Sequence, residues 1–507
     1  MLNKRQFFTA ATGLVANIVR PAMGVEQLRN GIPWGMIKEQ AEQIVARESP
    51  PSIFPFEKFS RESLIRSNRR VFFHYFPPFP LSFDNKQSSA DYYNEQYLRR
   101  EGEHGKYADV GGYLRERPLP IGPWQSSFWR HINYAVEIQR ARTAGADGFL
   151  VDVLRLPPDP GWERVRELFE TASAICSDFK IIPGPDCVAL HTLDAEALQS
   201  ALMEVAQYNS AFRVPDGRLL VAPFAAEKYP EKFWQRLIEI ANLGTSPVAL
   251  MPVLLDPQLA GRFAQFSYGI SYWGVRDAEE FEDGKQDQVH RSLSSLYRVL
   301  MLPVTGQDSR PKSAFFWEPQ NTLLFRTAWR KAIEENAQYV QVITWNDYSE
   351  STEVSPSSGI QFLFFDLSTY YISWLKMGRQ PDVIRDALYY CHRRQMIDQR
   401  SHNGDRPMRD MGPTAIKNDI ELIALLRQPG VLEIEIGSNK YNKPAESGLT
   451  AFQVPAQPGI PVFRVFRGGQ IILERQSDWA IEGQPSRSDL LYVGGSTTRS
   501  YCSNAGC

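Results

Sequence analysis

The sequence predicts an α/β fold, a (β/α)8 TIM-like barrel followed by a small C-terminal antiparallel β domain. Three observations carry that prediction. Between residues 70 and 345, short apolar runs alternate with amphipathic stretches, the pattern of strand–helix units on a parallel sheet. Acidic and aromatic residues collect where those apolar runs end, which is where a barrel carries its active face. After about residue 410 helical periodicity stops, and short alternating runs separated by Gly and Pro take over.

Residues 1–24 have the layout of an export signal. Lys4-Arg5 precede an apolar run from Phe7 to Val19, and Ala22-Met23-Gly24 offers a small-x-small cleavage site. The run is too short to span a bilayer. Lys4-Arg5-Gln6-Phe7-Phe8 is similar to a twin-arginine signal with Lys in place of the first Arg. Residues 25–66 are a Pro-containing lead-in, and 67–405 are expected to form the barrel.

Within the barrel, "RVFFHYF" (70–76) reads as a buried strand. "FWRHINYAVEIQRARTAG" (128–145) reads as a helix ended by Gly145. "DGFLVDV" (147–153) and "FKIIPGPD" (179–186) are strands, each followed by a helix, at 162–176 and 194–208. Further strands are expected at 218–224, 246–255, 264–273 and 339–345, with helices at 230–242, 288–300 and 322–336. Residues 410–507 read as a β-sandwich-like unit built from "VLEIEIG", "TAFQVPA", "PVFRVFRGGQIILERQ" and "DLLYVGG".

Bulk composition excludes several functions. The net charge of −2 gives no basic field for nucleic acid. At 43% hydrophobic and 22% charged, the chain can bury a large core. Its 11 Trp and 21 Tyr suit sugar stacking as well as core filling. Five Cys and seven His form no CxxC or HExxH pattern, so neither a metal nor a cofactor is expected. Cys502 and Cys507 close a short loop, either paired or as free thiols.

The chemistry is expected where strands end. "VITW" runs into Asn346, Asp347, Tyr348, Ser349 and Glu350, two carboxylates with an aromatic between them. His74 and Tyr75, Asp152, Asp186, Glu227 and Trp273 sit at or just after the ends of other strands. Carboxyl pairs flanked by aromatics suit glycoside hydrolysis, in which one group protonates the leaving oxygen and the other activates water or attacks the anomeric carbon. Asp347 and Glu350 are the candidate catalytic pair. An extended chain would put their Cα atoms about 10 Å apart, a helical turn about 5–6 Å. His74, Tyr75, Asp152, Asp186 and Glu227 are expected to hydrogen-bond sugar hydroxyls. Trp273, Trp345 and Tyr348 are expected to stack on sugar rings, and Asn346 to contact a sugar or orient Asp347.

"VITWNDYSES" resembles the "TWNDYGES" signature of glycoside hydrolase family 71, the α-1,3-glucanases or mutanases. "DGFLVDV", "VAPFAAE", "GISYWG" and "FQVPAQPGIPVFRVFRGGQ" resemble further blocks of that family, and "DALYYCHR" (386–393) a late helix of it. The resemblance implies a (β/α)8 barrel, endo-hydrolysis of α-1,3-glucan with inversion, and a catalytic Asp and Glu at Asp347 and Glu350. Glu350 is assigned as general acid and Asp347 as base. Two departures stand out: Ser349 replaces the usual Gly, and Thr352-Glu353 replace His-Tyr. The alternatives are a related endo-α-mannosidase-like hydrolase and a non-catalytic glycan-binding protein on the same barrel. The expected protein is an exported monomer acting on a polysaccharide, with no nucleic-acid partner and no membrane span.

Overall fold

The computed structural model describes residues 31–499. The expected export signal, Cys502 and Cys507 lie outside the described residues. In the lead-in, helix α1 (Trp34–Glu48) buries Ile37, Ala41 and Val45, a stripe at i, i+4, i+8. Helix α2 (Arg61–Arg66) is capped by Ser60, whose hydroxyl accepts from Ser63 N at 3.2 Å.

Strands and helices then alternate: β1 (Arg70–Tyr75), α3 (Trp129–Ala144), β2 (Gly148–Val153), α4 (Pro160–Ile175), β3 (Lys180–Pro185), α5 (Ala195–Ala206), β4 (Leu219–Val221), α6 (Glu231–Leu243), β5 (Val248–Leu250) and β6 (Val253–Leu254). They continue with β7 (Ile270–Tyr272), α7 (Lys285–Leu296), β8 (Leu300–Thr305), the short β9 (Ser309–Arg310) and β10 (Phe315–Phe316), α8 (Leu323–Glu334), β11 (Tyr339–Ile343) and α9 (Leu363–Met377). Local chemistry sets the boundaries. Asp159 caps α4, with Pro160 in its first turn, and Asp194 caps α5. Gly145, at φ 98°, ends α3 in the left-handed region that glycine enters without steric cost.

Seven strands form a parallel sheet in the order β3-β2-β1-β11-β8-β7-β6, and β4 and β5 form a separate parallel pair. Hydrogen bonds link that pair to both ends of the larger sheet. Ala222 N donates to Pro183 O at 3.0 Å, Phe224 N to Pro185 O at 2.9 Å, and Val253 N to Pro223 O at 2.9 Å. Side chains alternate across each strand. Val71, Phe73, Phe149, Val151, Val340 and Val342 pack on the helices. Phe72, Leu150, Ile182, Leu220 and Met301 form a second cluster on the face turned away from them.

Three expectations are corrected. Residues 300–305 form a strand that the sequence reading did not foresee, and the helix expected at 288–300 stops at Leu296. Pro303 lacks the N–H a central strand uses, which hides the run in the sequence, yet burial of Met301, Leu302 and Val304 prevails. The strand expected at 264–273 is confined to Ile270–Tyr272. Residues 386–393, expected as a helix, contain β12 (Ala387–Arg393), a central strand of the C-terminal unit.

That unit therefore begins inside the span assigned to the barrel. After the two-residue β13 (Arg409–Asp410), it contains β14 (Asp419–Leu426), β15 (Gly430–Ile436), β16 (Asn439–Ala445), β17 (Gly448–Pro455), β18 (Val462–Arg467), β19 (Gln470–Gln476) and β20 (Tyr492–Ser496). Two antiparallel sheets, β17-β14-β12-β20 and β16-β15-β18-β19, bury Leu388, Leu422, Ile434 and Val465 between them. Buried charges tie the unit to the strand–helix body. Glu421 accepts from Thr322 Oγ1 at 2.6 Å and Arg326 Nη2 at 2.7 Å, and Glu318 accepts from Arg393 Nη1 at 2.9 Å and Tyr492 Oη at 2.7 Å.

Candidate active site

The chain leaves β11 and folds straight into a tight loop. Thr344 N donates to Thr352 O at 2.9 Å, and Val354 N donates back to Thr344 O at 3.0 Å. Asp347 N donates to Thr344 Oγ1 at 2.9 Å, while Glu350 N and Thr352 N both reach Asp347 O at 3.3 Å. Of the two spacings open to the motif, the chain takes the turned one. Asp347 Oδ1 accepts from Ser349 N at 3.0 Å, Ser349 Oγ at 2.7 Å and Glu350 N at 3.2 Å. Three donors on one oxygen favour a charged carboxylate.

The segment after β8 faces this loop. Ser309 N donates to Glu350 O at 2.8 Å, and Arg310 Nη1 lies 2.8 Å from Glu350 Oε1. The same guanidinium forks onto Asp308, Nε to Oδ1 at 2.7 Å and Nη2 to Oδ2 at 2.8 Å. Arg276 also pairs with Asp308. Burial works against the Asp308 carboxylate, but Arg310 and Arg276 outweigh it and hold its pKa below the usual range. Burial likewise opposes the Arg310 charge, and Asp308 and Glu350 overcome it and raise the pKa. Trp317 carries both guanidiniums on its ring, Arg276 at 5.0 Å and Arg310 at 5.3 Å, and is partly exposed. On the other side, burial and then Tyr97, Tyr107 and Asp347 push the Tyr113 hydroxyl well up. Lys312 Nζ sits 5.3 Å over the Tyr113 ring.

The structure divides the remaining expected residues into two groups. His74, Asp152, Asp186 and Trp273 gather on the face turned away from the helices. His74 Nε2 lies 3.8 Å from Asp152 Oδ1, beyond hydrogen-bond length, and the Trp273 ring meets His74 edge-on at 4.8 Å. Asp186 Oδ1 accepts from Val188 N at 2.8 Å and Ala189 N at 3.0 Å, so it also shapes its own turn. His74 adjoins the loop after β11 through its backbone, where its O accepts from Trp345 N at 2.7 Å.

The second group serves the scaffold. Tyr75 follows His74 and therefore faces the helices, donating to Glu137 Oε2 at 2.7 Å. Trp345 is wholly buried against Phe73 and Phe149, with its Nε1 3.3 Å from Glu137 Oε1. Burial pushes Glu137 up to about 7 against the pull of Tyr75, Arg140 and Trp345. Tyr348 is buried with Phe76, Phe79, Tyr93 and Tyr113. Asn346 spends its amide on the loop after β1: Oδ1 accepts from Phe76 N at 2.8 Å, and Nδ2 donates to Phe76 O at 3.1 Å and Phe79 O at 2.9 Å. Glu227 accepts from Leu255 N at 2.8 Å and Asp256 N at 3.3 Å and so pins the turn after β6. Sugar stacking by Trp345 and Tyr348 is therefore replaced by a packing role, because their rings are already covered by protein.

Glu353 and Glu116 form a buried carboxyl pair behind the loop. Burial first, then the proximity of Glu116, raises Glu353 well above the carboxylate range, and burial raises Glu116 as well. Glu116 Oε2 also accepts from Ser357 Oγ at 2.6 Å. A Cβ at residue 359 would stand 2.3 Å from that same oxygen, so any larger residue there would displace the Glu116 carboxyl.

Asp308, Arg310, Trp317, Tyr113 and Ser349 were not foreseen as site residues. The signal for the first two was present as Thr-Gly-Gln-Asp-Ser-Arg (305–310) after an apolar run, but the Pro inside that run concealed the strand. Among the described residues, no group of three or more His, Cys, Asp or Glu side chains could hold a metal ion.

Comparison with known proteins gives the following. The model of Glycosyl hydrolase family 71 matches residues 124–490. Glucan endo-1,3-alpha-glucosidase agn1 of Schizosaccharomyces pombe is 22% identical over 369 residues, 66% of this chain and 84% of that protein. The Ascus wall endo-1,3-alpha-glucanase of the same yeast is 22% identical over 402 residues, 70% of this chain and 90% of its own length. Among solved structures, a GH99 endo-alpha-mannosidase from Bacteroides thetaiotaomicron superposes with a TM-score of 0.48 at 12% identity, over 61% of this chain and 98% of that one.

Proposed function

The chain belongs to glycosyl hydrolase family 71, and from that premise we propose that it cleaves α-1,3-linked glucan within the polymer, with inversion. The α-1,3-glucan hydrolases among its relatives support the substrate. The observation that carries the mechanism is the cluster of charges at the loop. Arg310 pairs with Asp308 and Glu350 and lies in the field of Asp347, and Arg276 pairs with Asp308. Carboxyl groups held this close differ in proton affinity, as an acid and a base require. Asp308 is doubly paired, and Asp347 has three donors on one oxygen, so both suit the charged state. Glu350, 2.8 Å from Arg310, is the group we assign as general acid, the donor of a proton.

Glu350 gives that proton to the glycosidic oxygen as its bond to the anomeric carbon breaks. Asp347 takes a proton from the water that attacks the opposite face. His74, Asp152 and Trp273 are assigned to sugar hydroxyls and one ring on the inner wall, and Asp186, fully buried, holds the turn after β3. Trp317, partly exposed beside Arg310, takes over the flanking aromatic role, because protein covers the rings of Trp345 and Tyr348. The hydrogen bonds from β4 to β3 and β6 support closure of the sheet into a (β/α)8 barrel. Export is part of this reading. No helix among the described residues is long and apolar enough to cross a membrane.

Reducing-sugar release from insoluble α-1,3-glucan, with α-mannan in parallel, tests the assignment. Asp347→Asn and Glu350→Gln should each lose about 10²–10⁴ in rate while still binding glucan. Product NMR should show the β-anomer first. Near-normal turnover in both variants would remove the pair from catalysis. Release from mannan alone would move the substrate.

A further inference from the structure

We propose that Ser349 is a positioning residue that holds Asp347 in its charged, proton-accepting state. The proposal rests on the reading of Asp347 as base. Ser349 is completely buried, so no water substitutes for its hydroxyl. It supplies two of the three donors on Asp347 Oδ1, its N–H at 3.0 Å and its Oγ at 2.7 Å. A turn of this kind needs only the backbone donors, which Ser349 N and Glu350 N already provide. The hydroxyl is thus a third donor, unnecessary to the turn and aimed at the carboxylate.

The backbone does not demand this residue. Ser351 takes the left-handed conformation in this loop at φ 54°, whereas Ser349 is outside the left-handed region. The contact is selective as well. Tyr113, from the long segment between β1 and α3, interacts through its hydroxyl with Ser349 and lies in the field of Asp347. Ser349 Oγ donates to Asp347 Oδ1 at 2.7 Å, with the Tyr113 hydroxyl beside it.

The charged groups around Asp347 are Glu350 on its own loop, Arg310 from β9, Tyr113 with Lys312 over its ring, and the His74–Asp152 pair across β1. Arg310 stabilises both carboxylates of the loop, so it does not separate their roles. Ser349 reaches Asp347 alone and therefore does. A hydrogen bond to the charged form lowers a carboxyl group's proton affinity, so loss of the hydroxyl raises it.

The experiment is the pH profile of kcat/KM on α-1,3-glucan for the full chain, with Ser349→Ala and Ser349→Gly, alongside Asp347→Asn and melting temperatures. The acidic limb should move up by about half to one pH unit in both Ser349 variants. Below that limb the rate should fall about 3- to 10-fold further than on the plateau. A lowered plateau with an unmoved limb would make Ser349 merely structural and overturn the proposal. So would an unchanged profile, a downward shift, or failure of both variants to fold. An active Asp347→Asn enzyme would instead defeat the reading of Asp347 as base.

Discussion

Replacing Asn346 by Ala should unlock the loop after β1 and cost stability before it costs binding. The Asn346 side chain is 1% exposed and makes three hydrogen bonds, to Phe76 N at 2.8 Å, Phe76 O at 3.1 Å and Phe79 O at 2.9 Å. Truncation leaves Phe76 N and Phe79 O without a partner in a site that water barely reaches, while Phe76 O keeps Phe79 N at 3.3 Å. Each orphaned group costs about 1–3 kcal/mol, so about 4 kcal/mol in total is expected. Unfolding entropy of about 2 cal/mol/K per residue over this chain converts that to a fall in Tm of about 4 °C if the molecule unfolds as one unit. The fall would be larger if the strand–helix body unfolds alone. Asn346→Asp should be at least as harmful, because an acceptor would then face the carbonyls of Phe76 and Phe79. Thermal unfolding by circular dichroism and glucan hydrolysis are the two assays. kcat should drop because Asp347 follows directly on the loosened residue, with KM changing less. An unmoved Tm with a raised KM would refute this reasoning and return Asn346 to the sugar.

Two further outcomes follow from buried charges. Glu353 holds its proton far more tightly in the folded chain than in the unfolded one, first because it is buried and then because Glu116 adjoins it. Below about pH 4.3 both states are protonated; above it the unfolded chain releases a proton the native pair retains, so stability falls with rising pH until the folded pair ionises. Glu353→Gln should flatten that slope by about 1.4 kcal/mol per pH unit in urea titrations, and an unchanged slope would disprove the shared proton. Glu421→Ala strands Arg326 and Thr322 between the two units and should cost about 3–5 kcal/mol, with kcat per folded molecule kept. A loss of turnover without a loss of stability would link that junction to the active site instead.

Sequence periodicity alone determined most of the strand–helix order, because amphipathic spacing and the Asp and Gly caps act within a few residues. Asp159, Asp194 and Gly145 end or begin helices as their chemistry requires. The turn after β11 stood out in the sequence as well, because two carboxylates follow a buried strand, although the two aromatics beside them proved to be packing residues. Strand parity, also local, separates His74 from Tyr75 and would have sent Tyr75 to the helices. What the sequence could not supply was every decision made by distant burial. Residues 300–305 became a strand, despite Pro303, because Gln341 and its neighbours on β11 lie beside them in register. Residues 387–393 became a central strand because β14 and β20 flank them on both sides. Trp345 and Tyr348 lost their solvent faces to Phe149 and Phe79, residues roughly 200 and 270 positions away in the chain. Arg310 reached Glu350 only because β8 and β11 are neighbours in the sheet. Hydrogen-bond and burial energies depend on which groups meet, and those meetings are set by the closed packing of the whole chain rather than by any window of it.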